Sequence, residues 1–302
     1  MNFNKLLWSD VERTPQFTSK IELLNVKYDE DYEEIMDYFR AIVKSGEISE
    51  RVFDLTSIII QKLPSNYNAY FIRRKCLKQM NLDLSKEMEF INEVTISNQK
   101  VYQIWEHRRQ VIEQLNNCKG EIEFLHKIFD EDNKNYHGWS YRVWLCEKFN
   151  LYAEELIDVQ YYLDEDIGNN SAWNYRYFLL SKIPFDFNTE LEYIKNAIRI
   201  KDENEASWNY LRGWFKTFKF KNDQENPYKT FIQYNLKDFN LIEFLNEIQY
   251  NNRFALSLRI QCLLQDGKYQ DAISICEVLQ NVDSIRIKYW QYLKTQINGL
   301  IQ

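Results

Sequence analysis

Glycine and proline are scarce in this sequence. Its 302 residues include 7 glycines and 4 prolines, where an average chain devotes ~12% to the two together. A fold of many short strands joined by tight turns is poorly served by so few breakers; an all-helical chain fits. Histidine is scarcer still. His107, His126 and His137 are the full set, and none stands in a metal-ligand spacing. The cysteines Cys76, Cys118, Cys146, Cys262 and Cys276 are odd in number and contain no CxxC pair. They read as buried or free thiols of a reducing compartment. No stretch approaches the ~20 apolar residues of a membrane helix, and "TSIIIQKL" is far too short. The opening "MNFNKLLWSDVERTPQF" lacks a signal-peptide core. These absences lead us to expect a soluble, cytoplasmic protein without a membrane span. Positive charge is also in deficit, with 38 basic against 45 acidic residues and a net charge of −7. That argues against a nucleic-acid binder, which needs a basic face. There is no Walker loop, GxSxG, HExxH or Rossmann glycine pattern. A self-sufficient enzyme has no visible constellation here.

What is present is a repeat. Aromatic residues make up 16% of the chain, and part of that excess is periodic. The segments "NYNAYFIRRKCL", "VYQIWEHRRQVI", "NYHGWSYRVWLC", "NNSAWNYRYFLL" and "NEASWNYLRGWF" place aromatic anchors at Tyr70, Trp105, Trp139, Trp173 and Trp208. The spacings are 105−70=35, 139−105=34, 173−139=34 and 208−173=35. A fixed period in this range marks a repeat protein whose units bury their apolar faces only against each other.

Each unit reads as helix-turn-helix, opening on the anchor-bearing helix. In the third, Asn135 is a good N-cap, and Tyr136, Trp139, Val143 and Cys146 fall on one helix face. Glu154 and Glu155 open the next helix, where acidic side chains suit the positive dipole end. Asn169 and Asn170 then offer caps for the following unit. An arginine three or four residues after each anchor (Arg73, Arg108, Arg142, Arg176, Arg212) lies on nearly the same face. Its planar fork suits carbonyls or carboxylates of a neighbouring helix while its stem covers aromatic surface. "WEHRR" is therefore first a structural element.

We read one domain, residues 1–302. Residues 1–25 are peripheral, followed by a helical pair with a turn near Gly46. The anchored repeats come next, then a polar connection at 219–235 with Pro227. Closing helices over 236–302 turn at Gly267 and end around Trp290.

With its order of units, "KNYHGW", "NNSAWNYRYF", "NEASWNYLRG" and the final "DSIRIKYWQYL", the chain resembles the alpha subunit shared by protein farnesyltransferase and geranylgeranyltransferase type I. The resemblance spans nearly the whole sequence. It implies an all-α superhelix, a right-handed crescent of antiparallel helical hairpins wrapped around a beta subunit in an obligate heterodimer. It implies transfer of farnesyl or geranylgeranyl from the isoprenyl diphosphate to the cysteine of a CaaX-motif protein. Zinc and magnesium are then expected in the heterodimer, with the zinc ligands on the beta subunit and no cofactor bound by this chain. On the same resemblance Lys100 is the catalytic residue that contacts the diphosphate. Tyr102 and Gln103 lie beside the substrate peptide, with the glutamine hydrogen-bonding its C-terminal carboxylate. Asn135, Tyr136 and His137 form the next unit's rim near diphosphate and peptide. Lysine at a helix start makes sense on its own terms, because exposed N–H groups and the dipole there favour an anion. Two departures stand out: Val101 replaces the family's usual asparagine, removing a cap-type side chain, and Tyr70 replaces a tryptophan. The competing readings are a non-catalytic helical scaffold and the alpha subunit of the Rab-type geranylgeranyltransferase. The latter usually carries extra domains in animals, and on this reading none is expected after residue 302.

Overall fold

The computed structural model describes residues 3–16, 28–215, 234, 239 and 241–301. Among them are fifteen α-helices and no β-strand; Phe215 and Tyr234 form one isolated bridge. The chain divides into two compact units, Met1–Phe149 and Asn150–Gln302.

The first unit contains α1 (Glu30–Ser45), α2 (Glu50–Lys62), α3 (Tyr67–Gln79), α4 (Leu84–Ser97), α5 (Tyr102–Leu115), α6 (Glu121–Glu131) and α7 (Tyr136–Phe149). Asp29 caps α1 by accepting from the amides of Asp31 and Tyr32. Its buried stripe of Ile35, Phe39 and Ile42 faces the core. Gly46 ends it at φ 73°, with its N–H on the carbonyl of Ile42, a left-handed position that glycine takes without strain. The opening segment is less peripheral than expected. A 3-10 turn at Lys5–Trp8 buries Trp8, whose ring lies 5.9 Å from Tyr38. Residues 17–25 lie outside the described residues.

The second unit contains α8 (Tyr152–Glu165), α9 (Asn170–Leu180), α10 (Phe187–Ile200), α11 (Glu205–Gly213), α12 (Leu241–Glu247), α13 (Arg253–Gln265), α14 (Tyr269–Val282) and α15 (Ile287–Ile301). The turn expected at Gly267 is present, at φ 72°. Helices α13 to α15 share a core that includes Ile260, Leu264, Cys276, Leu279 and Ile297, all nearly inaccessible. The polar connection expected at 219–235 falls outside the described residues except for Tyr234.

Each anchor-bearing helix packs closely against the helix just before it in sequence: α2 with α3, α4 with α5 and α6 with α7 in the first unit, and α8 with α9 and α10 with α11 in the second. The anchor-bearing helix is thus the second member of each hairpin, not the first as the sequence reading framed it. All five anchors are buried. Each tryptophan also pins the loop before its helix, the indole N–H donating to the carbonyl six residues back. Trp105 reaches Gln99 at 2.8 Å, Trp139 Asn133 at 2.9 Å, Trp173 Ile167 at 2.8 Å and Trp208 Asp202 at 2.6 Å. Asn204 and Asn252 cap α11 and α13, and each donates through Nδ2 to the loop carbonyl of the preceding repeat, Ile167 and Asp202 respectively, both at 2.8 Å.

Between repeats runs a buried polar seam. Arg73 donates through Nε and Nη2 to both oxygens of Glu87, each at 2.7 Å. Arg108 does the same to Glu121 at 2.7 Å, and Arg176 to Glu190 at 2.8 and 2.6 Å. The next repeat contributes a phenol. Tyr141 donates to Glu121 at 2.5 Å, Tyr210 to Glu190 at 2.6 Å, and Tyr175 to Glu155 at 2.5 Å. Burial, then the adjacent carboxylate, pushes the Tyr141 and Tyr210 hydroxyls well above their usual range. At the first seam His107 takes the phenol's place, with Nε2 2.7 Å from Glu87 and Nδ1 3.5 Å from Arg74. A guanidinium only donates, so Nδ1 accepts and Nε2–H donates to the carboxylate. Arg212 departs from this scheme. It lies four residues after its anchor, with Leu211 at the seam position, and donates to the carbonyl of Phe254 at 3.1 Å.

Candidate functional site

The residues singled out by sequence gather at the N-termini of two neighbouring helices, α5 and α7, both in the first unit. Val101 is the N-cap residue of α5 and has no side chain able to accept from the first turn. The corresponding residues of α3, α9 and α11 are Asn66, Asn169 and Asn204, and all three cap. Asn135, buried, serves α7 likewise, its Oδ1 accepting from the Gly138 amide at 2.9 Å. Helix α5 forms even so, held by the buried Ile104, Trp105, Arg108, Val111 and Ile112 on its inner face. Its first turn therefore presents backbone N–H groups without a side-chain cap, next to Lys100. Uncapped donors beside a cation favour an anion.

The Lys100 side chain is 80% exposed, and its Nζ lies 3.2 Å from Asp132 Oδ2. Tyr102 is 60% and Tyr136 77% exposed, the first helical residues of α5 and α7. His137 is half-buried between them, its ring 6.4 Å from that of Tyr102 and 5.6 Å from that of Tyr136. Gln103 is half-buried at the second position of α5. The loops before α5 and α7 are tied together: Gln99 donates to Glu131 at 2.5 Å, and Asn135 approaches the Gln99 side chain at 3.5 Å. The result is a cation, two exposed phenols, an imidazole and amide groups along one rim, set on a rigid seam. Such a rim can hold an anionic group at Lys100 and hydrogen-bond an extended chain beside Tyr102 and Gln103.

The sequence reading missed the roles of two groups of residues. Glu87, Glu121, Glu155 and Glu190 are the carboxylates of the seam, and they recur at 34, 34 and 35 residues, a signal as regular as the anchors. Gln99, Glu131 and Asp132 brace the rim, and no local pattern marks them. Among the described residues, no group of three or more His, Cys, Asp and Glu is placed to hold a metal ion. A zinc site therefore does not fit the described residues of this chain. None of its described helices is long and apolar enough to cross a membrane.

Residues 84–115, 118–149, 152–183 and 187–218 each match the protein prenyltransferase alpha subunit repeat. Each match takes in one of the four tryptophan anchors together with the helix before it, the same frame as the observed hairpins. The chain is 33% identical to the protein farnesyltransferase/geranylgeranyltransferase type-1 subunit alpha of Candida albicans, covering 99% of this chain and 100% of that one. It is 36% identical to the protein of the same name from Pisum sativum, over 96% of this chain and 93% of the relative. Among solved structures it resembles a chain of Candida albicans protein geranylgeranyltransferase-I complexed with GGPP. The TM-score is 0.82 at 30% identity, covering 96% of this chain and 98% of that one. With its repeats, seam and rim in this order, the chain belongs to the protein farnesyltransferase/geranylgeranyltransferase type-1 alpha-subunit family.

Proposed function

We propose that this chain works in the cytoplasm as the alpha subunit of a heterodimeric CaaX protein prenyltransferase. The enzyme transfers farnesyl or geranylgeranyl from the isoprenyl diphosphate to a cysteine thiol near the C-terminus of a protein substrate. The observation that carries this reading is the rim itself: Lys100 stands beside the uncapped first turn of α5, with Tyr102, Gln103 and the Asn135–His137 group alongside. In the transfer a sulfur–carbon bond forms and the carbon–oxygen bond to the diphosphate breaks. The thiol proton is lost to solvent, and negative charge builds on the departing oxygen. Lys100 and the α5 amides stabilise that charge. Gln103 hydrogen-bonds the substrate's terminal carboxylate, and Tyr102, Tyr136 and His137 line its path. Asn135 holds the α7 turn that carries two of them. The beta subunit provides the zinc ligands and most of the isoprenoid pocket, and magnesium accompanies the diphosphate.

The test is co-expression with candidate CaaX-type beta subunits, followed by a prenyl-transfer assay. We expect a stable heterodimer that prenylates a CaaX peptide, and no transfer by this chain alone. A chain that forms no complex with any such beta subunit, or a complex that transfers nothing, contradicts the reading and favours a scaffold.

A further inference from the structure

The rim contains a carboxylate for which transfer has no obvious use. Asp132 is fixed from several directions. Its amide donates to the Ile128 carbonyl at 3.0 Å, its carbonyl accepts from the Asn135 amide at 3.0 Å, and its Oδ1 accepts from the Lys134 amide at 3.2 Å. That leaves Oδ2 directed at Lys100, 3.2 Å away. Its neighbour Glu131 is engaged with Gln99 and does not share the role. The two partners differ in freedom. The carboxylate is locked in the turn between α6 and α7, whereas the lysine is 80% exposed on a stem with four rotatable bonds. Of the two, the ammonium is the partner free to move. A fixed carboxylate at this distance competes with an arriving diphosphate for the same ammonium.

We propose that Asp132 is the resting counter-ion of Lys100. It holds the ammonium at the rim when no diphosphate is present, yields it when the diphosphate binds, and takes it back as pyrophosphate leaves. Asp132 is thus a positioning residue that sets anion release, and it touches neither substrate nor the reacting atoms. The inference rests on the assignment of Lys100 to the diphosphate.

The experiment titrates inorganic pyrophosphate into the reconstituted heterodimer, comparing wild type, Asp132→Asn, Lys100→Ala and the double variant. Asparagine keeps the Oδ1 acceptor for the Lys134 amide and removes only the charge. If that variant fails to fold, Asp132→Ser, whose hydroxyl can also accept from an amide two residues on, carries the test. Asp132→Asn should bind pyrophosphate roughly two- to fivefold more tightly, because the ammonium no longer has to be taken from its carboxylate partner, and release it correspondingly more slowly. In the Lys100→Ala background most of that gain should disappear, since the carboxylate acts through the lysine. Unchanged or weaker binding by Asp132→Asn overturns the proposal. So does an equal gain in both backgrounds, which would make Asp132 a general field and not a partner of Lys100. If Lys100→Ala by itself leaves pyrophosphate affinity untouched, the assignment of Lys100 falls, and the role of Asp132 falls with it.

Discussion

The buried seam and the exposed rim are built from the same repeat and obey opposite rules. At the seam, the position two residues after the anchor is His107, Tyr141, Tyr175 or Tyr210, each hydrogen-bonded to a buried glutamate. The chemistry barely changes from one repeat to the next. At the rim it is not kept across the five repeats. Five residues before each anchor stand Ser65, Lys100, Lys134, Gly168 and Glu203. Three residues before stand Tyr67, Tyr102, Tyr136, Asn170 and Glu205. Repetition marks what every unit needs in order to stack, since neighbouring units share their stability. Departure from repetition marks what only one or two units do. Lysine paired with an exposed tyrosine occurs at two successive anchors, Trp105 and Trp139, and nowhere else among the five.

If the seam is structural, breaking it should be costly in proportion to its burial. Arg176→Met leaves Glu190 buried with only the Tyr210 hydroxyl against it. Stranding one partner of a buried pair costs about 3–5 kcal/mol. Denaturant unfolding should show a loss of that order, and adding Glu190→Leu should recover a substantial part. A loss under about 1 kcal/mol would mean that the pair is solvated and the seam adds little.

The first seam should differ from the others in acid. Burial, outweighing the nearby Glu87, holds the His107 imidazole below its ordinary value. Burial alone would raise Glu87, yet the hydrogen bonds from His107 and Arg73 hold it below the usual carboxylate range. Both groups bind protons more readily unfolded than folded. Their stabilisation is therefore complete above the unfolded imidazole value of ~6.5 and declines as pH falls below it. His107→Tyr, the residue found at the other seams, should flatten the fall in Tm between pH 7.5 and 5 by about a few degrees. An unchanged slope would place the acid sensitivity elsewhere.

The smallest effect concerns the cap. Val101→Asn restores the side chain found before α3, α7, α9 and α11, and a cap of this kind contributes about 0.5–2 kcal/mol. Thermal unfolding should move upward by about one to a few degrees. No gain would mean that the α5 amides are already satisfied by another group.

The anchors were legible because a tryptophan every 34 or 35 residues is a periodic signal in one residue type. The hairpin frame was not, because the loops on both sides of each anchor helix are similarly short. Residues 80–83, 98–101 and 132–135 connect α3 to α4, α4 to α5 and α6 to α7, and loop length alone gives no preference. The seam roles of Glu87, Glu121 and Glu190 escaped notice because each sits on a different helix from its arginine. Arg212 misled because a shift of one residue turns a side chain by about 100° around a helix. At the rim, the resemblance supplied residue names that composition alone would not have yielded. The Lys100–Asp132 contact joins residues 32 apart in sequence (132−100=32), and only the packing of adjacent repeats reveals it.

In the proposed function the rim lysine acts on the leaving group while its neighbours hold the peptide. Single-turnover kinetics on the reconstituted heterodimer separates the two. At about 4 Å a lysine and a unit negative charge interact at roughly 4 kcal/mol in a partly solvated site. About half of that surviving corresponds to a slowing of about 10- to 100-fold. Lys100→Ala should slow the chemical step by that factor and leave peptide affinity nearly unchanged, while Gln103→Ala should weaken peptide binding and spare the chemical step. A Lys100→Ala heterodimer that transfers at the wild-type single-turnover rate and differs only in peptide affinity would contradict the account.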